Sequence, residues 1–146
     1  MSGEYACDYQ GWLAHTARLI RERRWQDLDA DHLADEVEDL GKSERRGIAS
    51  QLTRLLVHLL KWRFQPPRRS DSWRDSIADA RLQIQLAIDD SPSLGTYPAE
   101  LLDTCYTKAR RSAAKQTALP LDRFPDPCPF RIDDILNDDW LPDAVD

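Results

Sequence analysis

Apolar side chains along most of this chain recur at steps of three and four, the period that lines one face of an α-helix. The longest series is Leu33, Val37, Leu40, Ile48, Leu52, Leu55, Leu59 and Trp62, with Glu44 standing where the step calls for an apolar residue. It predicts a helix from Leu33 to Phe64, stopped by Pro66-Pro67, because proline lacks an amide donor and pushes the residue before it out of helical geometry. Gly41 and Gly47 each weaken a helix by up to about 1 kcal/mol relative to alanine, so this helix is expected to be continuous but bent. A shorter stripe of Trp12, Leu13, Leu19 and Ile20 predicts an earlier helix from Tyr9 to near Arg24, after a frayed start over residues 1–6. Trp25 and Leu28 then read as apolar anchors in a polar connection.

Trp73, Ile77, Ala80, Ile84 and Ile88 form the next stripe, with Ser70, Asp71 or Ser72 as its cap. The inner face of a fourth helix runs through Leu101, Leu102, Cys105, Ala109, Ser112, Ala113 and Gln116, and its small residues let a neighbouring helix come close. Pro120, Pro125, Pro127 and Pro129 exclude regular structure before Phe130, which predicts an extended strap pinned by Leu121, Phe124 and Phe130. Ile132 to Leu136 suffices for a short terminal helix. The expected fold class is therefore all-α: a helical bundle of about four main helices with a proline-rich C-terminal strap and a short terminal helix, in a single domain over residues 1–146.

Composition narrows the classes. With 41% apolar and 32% charged residues among 146, the chain suits a folded globule with one core. Its formal charge of -6 argues against coating nucleic acid or an anionic membrane by bulk attraction. The charge is unevenly spread: eight acids against Lys42 lie between Gln26 and Glu44, whereas Lys61, Arg63, Arg68, Arg69 and Arg74 gather around Asp71. That polarity suits pairing between copies of the chain, and it equally suits solubility alone. Cys7, Cys105 and Cys128 form no zinc-like pair, and free thiols in a reducing compartment are expected. No stretch approaches the roughly 20 apolar residues of a membrane span, so the expected location is cytoplasmic.

Two constellations carry candidate chemistry. Glu36, Glu44 and His58 form a candidate polar seam on the long helix. A buried carboxylate there needs a cation, donors or a proton, so Glu44 would pair with an arginine such as Arg45, Arg81 or Arg110, stay wet at a bend, or help to bind a metal. The Glu-x-x-His pair that carboxylate bundles place on neighbouring helices is absent, and no metal or other cofactor is expected. His58 reads as a packed residue bonded to a local acceptor. The second constellation interleaves Lys61, Arg63, Arg68, Arg69 and Arg74 with Trp62, Phe64 and Trp73, which is a candidate phosphate or nucleic-acid patch if the rings face outward and core packing if they face inward.

The order of these pieces resembles a bacterial family, domain of unknown function 29 (DUF29). The resemblance rests on Leu28 with the acidic helix start after it, the run from Val37 to Arg46, His58-Leu59-Leu60-Lys61-Trp62, Arg69-Ser70-x-Ser72-Trp73, Asp90 to Leu94, Cys128-Pro129-Phe130 and Ile135-Leu136. It implies an all-helical fold and brings no substrate, cofactor or catalytic residue. The expected function is a noncatalytic interaction or structural protein that self-associates. The alternatives are a nucleic-acid-linked accessory factor acting through residues 61–74 and a metal-dependent enzyme with a carboxylate site near Glu44.

Overall fold

The computed structural model describes residues 2–145, with side chains from Tyr5 onward. Its regular elements are all helical: α1 (Ser2–Cys7), α2 (Tyr9–Arg21), α3 (Ala30–Phe64), α4 (Asp71–Asp90), α5 (Tyr97–Thr117) and α6 (Ile132–Ile135), with a single 3-10 turn in each connection from α2 onward. The chain divides into two compact units, Met1–Ser43 and Glu44–Asp146.

In the first unit, Asp8 separates α1 from α2 and caps the latter, its carboxylate accepting from Gly11 N at 2.9 Å. Any side chain at residue 11 would collide with that carboxylate. Residues 2–6, expected as a frayed start, fall in α1, and Met1 lies outside the described residues. No apolar stripe marks α1 because one aromatic ring anchors it: Tyr5 stacks on His32 at 4.1 Å and meets Trp12 edge-on at 4.8 Å. α2 stops before Arg24 because Arg23 takes a left-handed φ of 57°, which returns the Arg24 N–H to the Leu19 carbonyl. Trp25, expected as an anchor, sits in the following 3-10 turn and is 58% exposed.

α3 is continuous through Gly41 and Gly47. Its buried face, however, begins only at Ile48. Val37 is 60% exposed and Leu40 72%, and Glu44 is exposed too, so the first part of the expected stripe is not core. Periodicity marks an apolar face without supplying the neighbour that covers it.

The second unit is built on that buried half of α3. Leu52, Leu55, Leu56, Leu59 and Leu60 share a core with Ile77, Ala80 and Ile84 of α4 and with Cys105, Tyr106, Ala109 and Ala113 of α5. Each fully buried leucine contributes about 2 kcal/mol of transfer free energy. α4 runs antiparallel to α3, since Arg54 reaches Asp79 at 2.7 Å and Lys61 covers Trp73 at 4.8 Å. α5 runs parallel to α3, since Cys105 Sγ meets the Ala49 carbonyl at 3.6 Å and Lys61 meets Gln116 at 3.1 Å. Ser70 is the cap of α4, accepting from Trp73 N.

After α5 the chain crosses back over the bundle. Phe124 is fully buried edge-on to Phe64, and Phe130 is edge-on to Trp140, whereas Leu121, the third expected pin, lies in a 3-10 turn and is 40% exposed. Polar ties finish the job. Tyr106 donates its hydroxyl to the Pro125 carbonyl, Arg110 Nε donates to the Phe124 carbonyl at 2.9 Å, and Val145 N donates to the Arg63 carbonyl at 3.0 Å. The buried guanidinium of Arg81 donates to three carbonyls, those of Ile135 (2.8 Å), Trp140 (2.8 Å) and Asp138 (3.4 Å). Burial pulls its pKa below the ordinary arginine value, with Asp138 and Asp139 opposing.

Arg81→Met keeps most of the side-chain volume but strips these carbonyls of their donors. It should cost about 3 kcal/mol and roughly 10 °C in Tm, with proteolysis beginning in residues 118–145. An unchanged melting curve would show that the clamp is not needed.

Candidate functional site

The seam residues on α3 lie in three different settings. Glu36 belongs to an aromatic cluster in the first unit, accepting the Tyr5 hydroxyl at 2.6 Å and the Tyr9 hydroxyl on its other oxygen. These hydroxyls hold the Glu36 carboxyl below its ordinary range, Tyr5's more than Tyr9's, with desolvation opposing. In return the carboxylate pushes the Tyr5 hydroxyl up to about 12 and raises that of Tyr9. Beside them His32 Nδ1 meets the Asp29 carboxylate, which lowers the pKa of Asp29.

Glu44 is exposed and makes no ion pair among the described residues, so the expected arginine pairing is not formed. His58 is half-buried one turn after Arg54, and its Nδ1 lies 2.9 Å from the Arg54 carbonyl. A carbonyl only accepts, so Nδ1 carries a proton. Burial lowers the His58 pKa most, the bond to the Arg54 carbonyl opposes, and Lys61 and Arg54 lower it further.

His58 lines a groove of about 560 Å³ between α3 and α5. Ala49, Val57, Leu101 and Cys105 form its apolar side, and Arg54, Thr104, Lys108 and Ser112 its polar rim. The small residues of α5 were visible in the sequence. That Arg54 and Lys108 would share a rim with His58 was not, because it depends on α3 and α5 running parallel.

The basic segment 61–74 is largely engaged internally. Trp62 is buried, with Arg69 at 4.7 Å and Arg74 at 5.1 Å from its ring, and Arg69 Nε donates to the Trp62 carbonyl at 2.8 Å. Lys61 lies over Trp73, and Arg63 lies near Phe64 and Phe130. Arg68 is exposed in the 3-10 turn Pro66–Arg68. Among the described residues no three His, Cys, Asp or Glu side chains converge as a metal site would require. No helix among them is long and apolar enough to cross a membrane.

The family model for domain of unknown function DUF29 matches residues 4–141, nearly the whole chain. The chain belongs to the DUF29 family. No curated protein and no solved structure matches it. In this DUF29 chain the residues that sequence reasoning missed are Tyr5, Tyr9 and His32, whose only advance signal was two tyrosines four apart before an acidic helix.

The Tyr5–Glu36 contact has a definite pH signature. A tyrosine whose folded pKa exceeds its unfolded value of 10 stabilises the fold fully below pH 10 and loses that contribution as pH rises through about 12. Glu36, with its pKa lowered from 4.5, contributes above that pH and loses the contribution as pH falls through its folded value. Ultraviolet titration of tyrosinate should show one ring ionising near pH 12 that moves down towards 10 in Glu36→Gln. Identical curves for the two proteins would remove the contact.

Proposed function

We propose that this DUF29 chain is a noncatalytic interaction protein that self-associates through the uncovered stretch of α3. The supporting observation is that every residue from Val37 to Gly47 is exposed except Gly41 and Arg45, which are partly covered, although Val37 and Leu40 sit on one face there. Helices in proteins draw most of their stability from packing an apolar face, and this stretch, weakened by two glycines, has none packed. Covering Val37 and Leu40 contributes roughly 1.5–3 kcal/mol for each side chain. The aromatic rings of residues 61–74 already serve the fold and its own cations, which favours association over base stacking. Three free cysteines suit a reducing compartment, the cytoplasm in this reading.

Sedimentation or light scattering at micromolar concentration and low salt should give a mass above that of one chain. The exposed double substitution Val37→Glu with Leu40→Glu should return the monomer with unchanged helical circular dichroism. A wild-type monomer under all conditions, or a variant that associates as the wild type does, would sink the proposal.

A further inference from the structure

The groove between α3 and α5 changes character along its length. Cys105 Sγ meets the Ala49 carbonyl at 3.6 Å and Lys61 meets Gln116 at 3.1 Å, which sets the two parallel helices level. On that level Leu101, Cys105 and Ala49 lie towards the helix starts, Arg54 and Lys108 stand abreast halfway along, and Ser112 and His58 follow. The first part is apolar in effect: the Thr53 hydroxyl (2.9 Å) and the Cys105 thiol both donate to the Ala49 carbonyl, so neither needs a partner from the groove. The second part presents donors. Ser112 Oγ accepts from Gln116 Nε2 at 3.0 Å, so its own proton remains for another acceptor. His58 Nδ1 is committed to the Arg54 carbonyl, which leaves Nε2 for a ligand. Arg54 is shared with Asp79 of α4 at 2.7 Å, whereas Lys108 makes no ion pair among the described residues. Among those residues no aspartate or glutamate lines the groove, although the chain carries a formal charge of -6.

We infer that this groove binds a small straight-chain monocarboxylate, its head held by Lys108 and Ser112 beside Arg54 and His58 and its alkyl chain laid over Cys105, Ala49 and Leu101. An unpaired ammonium with a hydroxyl donor beside it matches a head of one negative charge. A doubly charged phosphate would need more than one unpaired cation to overcome the field of an acidic chain. Leu101 precedes Lys108 by seven residues, about 10 Å along a helix and roughly the length of an eight-carbon chain. A volume of about 560 Å³ with an apolar floor and a few convergent polar groups suits a ligand of that size. The site is independent of the self-association proposed above, which uses α3 only as far as Gly47.

The test is calorimetric titration of the full-length protein with octanoate, butanoate and octylammonium. Octanoate should bind at one site with a Kd below about 1 mM. Butanoate should bind about tenfold or more weakly because it buries fewer methylenes, and octylammonium likewise because its charge meets cations. Lys108→Glu, at an exposed position, should weaken octanoate about tenfold or more and remove the preference over octylammonium. Octanoate should shift backbone amide resonances within residues 49–58 and 101–116. The site falls if octanoate fails to saturate by about 5 mM or binds no better than octylammonium, and neither result depends on a variant folding. It falls equally if Lys108→Glu binds octanoate as wild type does, or if the amide shifts centre elsewhere in the chain.

Discussion

A buried guanidinium without a carboxylate is the constraint on which the second unit turns. Arg81 projects from α4 and is almost wholly withdrawn from water, so its charge is tolerable only if its donors are met. The C-terminal chain has the converse need. Few of its residues form regular structure, so its carbonyls require donors from elsewhere, and those of Ile135, Asp138 and Trp140 find them on this one side chain. Each group resolves the other's deficit. The strap closes over the bundle with Phe124 and Phe130 inside, and the end of α3 is covered as a result.

The same economy governs the cations around the α3–α4 turn. A run of lysines and arginines among tryptophans has the composition of a nucleic-acid patch, yet here Arg69 and Arg74 cap Trp62, Lys61 covers Trp73, and Arg63 sits among phenylalanines. Cation and ring lie against one another within the fold, while Arg63 Nε and Arg69 Nη2 are buried without a hydrogen-bond partner among the described residues. His58 is likewise tied to the backbone of its own helix, and Glu36 to two tyrosines. Val37 and Leu40, by contrast, stand exposed on α3.

Helix period and proline stops are local properties, so the sequence by itself determined the all-helical class, the end of α3 at Phe64, the irregular strap and its terminal turn, while it left the cap of α4 open among Ser70, Asp71 and Ser72. It also contained the small-residue face of α5, since alanine marks a close approach whichever helix makes it. Only the tertiary structure decided which faces are covered. Leu52 and Leu40 lie on the same long helix and read alike in the pattern, but one is enclosed by its neighbours and the other stands in water. For the same reason Glu44 is wet rather than buried, Tyr5 and Tyr9 share Glu36, and Arg81 reaches carbonyls more than fifty residues away. Burial is a relation between segments, and spacing within one segment cannot express it.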